Sequence, residues 1–248
     1  MRRLFALTLL FLTPFSAAAA DATHRTTRAV ALAPGTPIHL EATIADVTIT
    51  GSNRPDIGID VVRRAPTPAD LDRFPVVIEE RPDGLHVAAL QENDAHDAAL
   101  RSEITIAAPT TALFQRVRVF EGRVRLTNLK AACDVDLRRG GIEASGLAGR
   151  IRLESGIGSV DVKDSDLTSG GMMRLRVFNG MIRVRFARTP ENARILALTF
   201  NGTIASDIPL DTKQKFGPRF GETTIGSGDP VLSMDVVKGD IAITVSHR

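Results

Sequence analysis

The feature of this chain that most limits its fold is a glycine that recurs six times within the same apolar and charged pattern. The six residues are Gly122, Gly140, Gly158, Gly180, Gly202 and Gly239. They lie 18, 18, 22, 22 and 37 residues apart, and a nearly constant interval of this length is typical of stacked repeats. We interpret each glycine as a structural turn in one repeat.

The residues around each glycine alternate as in β-strands, where neighbouring side chains face opposite sides. Five residues before the glycine, every repeat has an apolar side chain: Val117, Val135, Leu153, Leu175, Ala197 and Met234. Two residues after it, the same holds: Val124, Ile142, Val160, Ile182, Ile204 and Ile241. These positions predict an apolar core that runs through all the repeats.

The positions between the apolar ones are charged, and the sign of the charge tends to alternate from repeat to repeat. Four residues before the glycine the series is Arg118, Asp136, Glu154 and Arg176; three after it the series is Arg125, Glu143, Asp161 and Arg183. Opposite charges attract across parallel, in-register strands about 4.8 Å apart. The pattern favours an all-β, parallel β-solenoid (β-helix) of short repeats. An antiparallel β-sandwich is the alternative, because Asn179-Gly180 between two alternating runs is also a hairpin signal.

The rest of the chain is organised around this repeat region. We assign residues 21–115 to N-terminal β rungs and a cap, and residues 116–248 to the solenoid repeats, with a Gly/Pro-rich loop at 209–230. Strands are predicted over residues 43–50 and 57–62, with three more within 76–106. A short helix is predicted over 68–74, with Thr67 as N-cap and Pro68 at its first position. The final strand, 241–245, is expected to form an open edge that could pair with a partner or a second copy.

The N-terminus predicts export. Arg2 and Arg3 precede an apolar run over 4–12, and Ala18-Ala19-Ala20 supplies a small-residue cleavage site, so residues 1–20 are interpreted as a signal peptide. No later run is long enough for a membrane helix, so we expect no transmembrane segment in the mature chain. A periplasmic, secreted or cell-surface location is therefore predicted.

The charge distribution suggests one binding hypothesis. The chain has 31 basic and 29 acidic residues, whereas residues 116–188 alone have 15 and 8. Seven arginines of this middle part could present a basic strip to an anionic polysaccharide or lipid headgroup: Arg138, Arg139, Arg150, Arg152, Arg174, Arg185 and Arg188. The alternative is a solvated face on which they pair with neighbouring acids. Nucleic acid is not expected as a partner, because the chain is exported and has no Trp or Tyr to stack on bases.

The sequence contains no pattern typical of catalysis. The five histidines, His24, His39, His86, His96 and His247, share no metal-ligand spacing, and the polar cluster from Glu92 to Asp97 is explained by a loop. We therefore expect no metal, no cofactor and no enzymatic activity. A polysaccharide-acting solenoid enzyme is the alternative, and it would need clustered carboxylates in a groove.

Two further positions are interpreted as structural. Cys133 lies seven residues before its glycine, where other repeats have Ile151 or Met173, and is predicted to be a buried small hydrophobe. Phe120, Phe178 and Phe200 lie two residues before theirs and are predicted to fill the corner of the solenoid.

Four segments carry a family resemblance: 45–51, 201–210, 224–228 and 238–243. They resemble the bacterial putative-adhesin domains of unknown function, also called toastrack-type repeats, over most of the mature chain. The resemblance implies a right-handed β-solenoid displayed in the cell envelope, with roles in adhesion or envelope stress and no catalytic motif. We expect a non-catalytic envelope adhesin or scaffold whose partner is an envelope protein or an anionic polysaccharide.

Overall fold

The computed structural model describes residues 21–91, 100–165, 167, 171–213 and 217–246. The predicted signal peptide and the cluster from Glu92 to Asp97 lie outside these residues. Within them, the chain is all-β: fifteen strands form one large, mostly parallel sheet, accompanied by one short helix. No helix among the described residues has the length and hydropathy of a membrane span.

The elements in chain order are β1 (Ala22–Val30), β2 (Pro37–Ser52), β3 (Ile57–Ala65), α1 (Pro68–Arg73), β4 (Val77–Arg81), β5 (Gly84–Ala89), β6 (Arg101–Pro109), β7 (Leu113–Thr127), β8 (Cys133–Ser145), β9 (Arg150–Lys163), β10 (Met172–Phe186), β11 (Ala193–Asn201), β12 (Ile204–Ser206), β13 (Asp211–Lys213), β14 (Arg219–Ile225) and β15 (Val231–Val245). The strands predicted over 43–50, 57–62 and within 76–106 are all present, and the first two are longer than predicted.

The middle of the sheet consists of parallel strands in glycine-to-glycine register. Strands β2, β7, β8, β9, β10 and β15 lie side by side in that order. Asn179-Gly180 lies inside β10 rather than at a hairpin, so the antiparallel sandwich is wrong for this part. The sheet runs from β1 to β13 and does not close on itself.

Each long strand bends at its glycine, as the burial pattern of β10 shows. Val177 and Ile182 are both buried, although five positions separate them, and Phe178 and Asn179 are exposed in succession. In a straight strand, strict alternation would expose one of Val177 and Ile182 and would bury one of Phe178 and Asn179. Both halves of the strand bury their apolar residues in one core. We call the half before the glycine the first face and the half after it the second face.

The glycines are required at the bend because their backbones stack. In β7, β8, β9, β10 and β15 their φ angles lie between 129° and 147°, a region that side chains with a Cβ rarely adopt. A Cβ on Gly140 would lie 1.8 Å from the carbonyl oxygen of Gly122, and one on Gly158 equally close to that of Gly140. The glycines interpreted as structural turns lie at these bends: five lie within strands, and Gly202 lies between β11 and β12. The column continues to Ala45 of β2.

At each end of the stack, one rung is split at the bend into two strands. Next to β2, the first face is continued by β5 and the second by β6. Next to β15, the same division separates β11 from β12. Antiparallel strands cover three of these four half-rungs. Strand β4 pairs with β5, β3 and then β1 extend the sheet from β6, and β14 and then β13 extend it from β11. The Gly/Pro-rich loop thus contains an antiparallel cap rather than a parallel rung.

The last strand of the chain does not lie at an edge, and the prediction of an open edge at 241–245 is wrong. Strand β15 is inserted between β10 and β11, with β12 alongside its second half. Both sides of β15 are therefore hydrogen-bonded within the protein. The uncovered parallel edge among the described residues is β12, which has only three residues, and short edge strands limit unwanted pairing.

The predicted core positions are confirmed. Of the twelve apolar positions around the glycines, eleven are buried, and Ile204 is half-buried. Cys133 is 2% exposed and belongs to this core, and burial raises the pKa of its thiol to about 12, with Asp134 adding to the shift. The interpretation of Cys133 as a buried small hydrophobe is therefore confirmed.

The helix is confirmed, and a buried arginine connects it to the sheet. The Thr67 side chain accepts a hydrogen bond from the Asp70 amide, and Pro68 starts the helix. Arg63 of β3 is 5% exposed and donates from Nη1 to the Leu71 carbonyl at 2.9 Å and to the Phe74 carbonyl. These carbonyls belong to the last turn of α1, where the helix dipole favours a cation.

Candidate interaction surface along the corner

Large apolar side chains are exposed along the outside of the bend. Together with two arginines and the half-buried Val237 at equivalent positions, they form what we call the corner ridge: Phe120, Arg138, Arg139, Ile157, Phe178, Val237 and Phe200. Phe120 is 45% exposed, Ile157 52%, Phe178 64% and Phe200 52%. The prediction that the phenylalanines fill the corner is wrong, because the bend turns the two residues before each glycine outward instead of one.

The strand order makes the ridge continuous. Phe178, Val237 and Phe200 occupy the same position on β10, β15 and β11, which are successive strands about 4.8 Å apart. On the other side of Phe178, the equivalent residue of β9 is Gly156, which has no side chain, and it is followed by the exposed Ile157. Phe178 is the most exposed of these side chains, with 64% of its surface accessible.

The other end of the ridge combines an aromatic ring with arginines. The Arg139 guanidinium lies over the Phe120 ring, 5.8 Å from its centroid, at a distance that permits a cation–π interaction. Arg138 lies beside Phe120 and Leu90 around a shallow cavity of 290 Å³. In the part of the chain that the structure describes, Arg138 has no ion pair. At this end of the ridge, an aromatic side chain therefore lies next to two arginines.

The structure does not bring the seven predicted arginines into one strip. Arg138 and Arg139 lie on the corner ridge, whereas Arg185 lies on the second face and Arg188 follows the end of β10. Three others lie together on the first face of β9 and β10: Arg150, Arg152 and Arg174, with Arg152 and Arg174 directly paired in the sheet. The seven arginines thus form two groups, on the corner and on the first face, with Arg185 and Arg188 placed separately.

Among the described residues, three of these seven arginines lie within 4.0 Å of an acid: Arg152, Arg174 and Arg185. Arg152 lies 3.0 Å from Glu154 and 3.4 Å from Asp134, and its hydrogen bond with Glu154 is the main cause of its raised pKa. Arg174 lies 3.9 Å from Asp235. Arg188 lines a cavity of 330 Å³ together with Asp164, Glu191 and Asp229.

The charge ladder predicted from the sequence is confirmed in register. Arg118, Asp136, Glu154 and Arg176 are successive partners, as are Arg125, Glu143, Asp161 and Arg183. Two pairs of neighbours form ion pairs: Arg183 with Asp161 at 2.8 Å and Arg125 with Glu143 at 3.2 Å. All four side chains are at least partly exposed, so each pair contributes little individually.

Sequence reasoning missed one cluster with metal-binding chemistry. His39 and His86 are direct partners on β2 and β5, and Asp83 lies in the turn before β5. The structure brings these three side chains together although their spacing in the sequence matches no motif. Only the register of β5 against β2 could have signalled this.

No family model matches the chain, and no curated protein matches it in sequence. Among solved structures, it is similar to a putative cell adhesion protein from Clostridium sporogenes ATCC 15579, with 11% identity and a TM-score of 0.49, over 90% of this chain and 100% of that one. It is also similar to a putative adhesin from Bacteroides fragilis NCTC 9343, with 12% identity and a TM-score of 0.37, over 90% and 97%. A putative lipid binding protein from Parabacteroides distasonis ATCC 8503 has 11% identity and a TM-score of 0.27, over 90% and 97%. Bacterial putative adhesins are thus among the solved structures to which this chain is similar.

Proposed function

We propose that this chain is a non-catalytic, exported β-solenoid that serves as an adhesin or scaffold in the bacterial cell envelope and binds a protein partner through the corner ridge. The observation that carries the proposal is the line of exposed phenylalanines on stacked strands. Contiguous apolar surface on a soluble protein marks interaction sites, and aromatic and arginine side chains are enriched in them.

The stacking supports a right-handed solenoid. The parallel strands share one core, and the connections between them place Leu129 and Leu147 in that core, with 1% and 0% of their surface exposed. Connections between parallel strands of one sheet are almost always right-handed. A leader-like N-terminus supports export to the envelope.

Charge complementarity defines the partner. The two residues before each glycine include Arg138, Arg139 and Lys238, against the single acid Glu121. We therefore propose a partner whose contact surface is apolar and flanked by acidic residues. Rim charges of this kind act mainly on the association rate and on specificity, while the apolar contacts carry the affinity.

A photo-crosslinking residue at Phe178, introduced in the source bacterium, tests the proposal. We expect a discrete protein adduct at 178 and none at Glu103, an exposed control position on β6. The purified partner should bind the wild-type protein and lose about tenfold or more in affinity with Phe178→Glu, but not with Glu103→Ala. Equal crosslinking at both positions, or binding that Phe178→Glu leaves unchanged, would contradict the proposal.

A second candidate function is binding of an anionic polysaccharide or lipid headgroup by the first face. The adjacent Arg150, Arg152 and Arg174 support it. Purified protein would be screened against lipopolysaccharide, peptidoglycan and anionic glycans at low and high salt. Binding that falls with salt and with Arg174→Glu, while Arg185→Glu on the other face has no effect, is expected for this function. Equal effects of the two variants would rule out the first-face arginines as a site.

The absence of catalysis remains part of the proposal. Several acids on the two faces, among them Glu143, Glu154 and Asp161, lie within 4.0 Å of arginines, whereas glycoside hydrolysis needs a pair of carboxylates beside the scissile bond. Release of reducing ends from envelope polysaccharide by the purified protein would favour the alternative of a solenoid enzyme.

A further inference from the structure

We propose that His39, His86 and Asp83 form a binding site for a late first-row divalent cation, with Zn²⁺ as the representative ion. The site lies on the first face at the N-terminal end of the stack, away from the corner ridge. The inference is independent of the proposed partner binding.

The donor atoms of the three residues lie close together. His86 Nε2 lies 2.8 Å from Asp83 Oδ1, and His39 Nε2 lies 3.3 Å from the Asp83 carbonyl oxygen. One ligand atom from each residue lies within 4.8 Å of the others. Ligands at the usual distances of about 2.0–2.2 Å from zinc lie slightly more than 3 Å apart in a tetrahedron, so only small movements are needed.

The backbone holds the two imidazoles in place. His39 and His86 are partners on adjacent parallel strands, and their ring centroids are 4.6 Å apart. Asp83, by contrast, lies in the turn between β4 and β5, with a side chain 67% exposed. Two rigid donors and one adjustable donor leave open positions for water, as in zinc sites with three protein ligands.

The chemistry of the donor set selects the class of ion. Two imidazole nitrogens and a carboxylate oxygen suit zinc and its late-transition-metal neighbours, whereas calcium and magnesium prefer oxygen ligands alone. Among the described residues, the buried Nδ1 atom of His39 has no hydrogen-bond partner, which leaves Nε2 as the ring nitrogen that faces polar groups.

The surrounding charges are mixed. Arg116 is the partner of His39 on β7 and lies 4.0 Å from Glu41. Glu79 is the partner of His86 on β4 and is bound by Arg81 at 2.9 Å. Each cation near the site is thus accompanied by an acid, and the nearby arginines do not create an uncompensated positive field.

Calorimetric titration of the metal-free full chain with zinc chloride tests the site. We expect one ion per chain, a rise in the thermal unfolding midpoint on binding, and tetrahedral Co²⁺ absorption bands after cobalt substitution. His86→Gln and Asp83→Asn should each weaken binding by about tenfold or more, since even the loss of supporting groups costs this much. His24→Gln changes an exposed histidine on β1 and serves as the control.

Asp83→Asn keeps the test decisive if a histidine variant fails to fold, because its side chain is exposed in a turn. Zinc binding that persists in a folded Asp83→Asn, His39→Gln double variant would overturn the site. Absence of stoichiometric binding to the wild-type chain would do the same and would reduce the cluster to a hydrogen-bonded contact between strands. Neither result would bear on crosslinking at Phe178.

Discussion

The middle rungs and the two ends of this protein are held together in different ways. In the middle, from β7 to β10, the backbones of successive glycines stack directly, and the same apolar positions recur in every strand. At the ends, individual side chains make the connections: Arg63 binds the end of α1, Arg25 binds Asp60, and Thr203 binds Asp240. Repetition therefore stabilises the interior of the stack, whereas the ends depend more on contacts of individual side chains.

The largest expected effect comes from a Cβ in the glycine column. Gly140→Ala should lower the free energy of unfolding by about 3 to 5 kcal/mol, because it combines backbone strain at φ 129° with overlap against a carbonyl oxygen. Gly141→Ala is the matched control, since its Cβ would meet only Ser159 Oγ, at 3.6 Å. We expect that variant to change stability by less than about 0.5 kcal/mol in chemical denaturation. Equal effects at 140 and 141 would show that the stacking is not what holds the middle.

At the N-terminal end, Arg63→Met should lower the free energy of unfolding by about 2 to 3 kcal/mol. The change removes hydrogen bonds from a charged donor to the Leu71 and Phe74 carbonyls, so these buried acceptors lose their Arg63 partner. Hydrogen exchange should accelerate in α1 and β1 and stay slow in β8 and β9. A uniform acceleration would mean that the end and the middle unfold as one unit.

The charge ladder should contribute much less. Asp161→Asn removes the pair with Arg183, whose side chain is 51% exposed, and should cost roughly 0.5 kcal/mol at low salt and less at high salt. A double-mutant cycle with Arg183→Gln isolates the pair from the loss of each side chain. A coupling energy that does not respond to salt would contradict the assignment of the ladder as a solvated feature.

Acid should loosen the N-terminal end through Asp60. The hydrogen bond from Arg25 holds the pKa of this carboxyl below its usual 3.8, with Thr27 adding to the effect. The carboxylate therefore stabilises the fold at and above that pH, and the contribution disappears as the pH falls further. Asp60→Asn should show a smaller drop in thermal midpoint between neutral pH and a pH below 3.8 than wild type. Asp211→Asn, at an exposed position on β13, is the control and should show the same drop in thermal midpoint as wild type.

Periodicity was enough to predict the interior of the stack. Alternation around each glycine identified the core, and complementary charges one repeat apart identified parallel register, because both depend only on spacing within a repeat. The same reasoning misplaced the phenylalanines. It extended the alternation of a straight strand through a bend, where two successive residues face outward.

Strand order and the cluster of His39, His86 and Asp83 could not be predicted from the repeat alone, because both depend on how the loops connect the strands. The final interval of 37 residues allowed β15 to return between β10 and β11. One signal was available: four residues before the glycine, chain order places Leu198 next to Arg176, whereas the structure places Asp235 there. The complementary charge would have favoured the inserted order. No comparable signal aligned β5 with β2.

The continuity of the corner ridge depends on this strand order, and a cysteine-pair experiment tests it most directly. Asn179 and Lys238 are partners on β10 and β15, and Lys238 separates Asn179 from Asn201. Under mild oxidation, Asn179→Cys with Lys238→Cys should form a disulfide, since neighbouring strands lie about 4.8 Å apart. Asn179→Cys with Asn201→Cys should not, because two strand spacings of roughly 9.6 Å exceed the reach of a disulfide. Cys133 is buried and should stay reduced. Efficient linkage of 179 to 201 and none of 179 to 238 would contradict the inserted strand and the ridge built upon it.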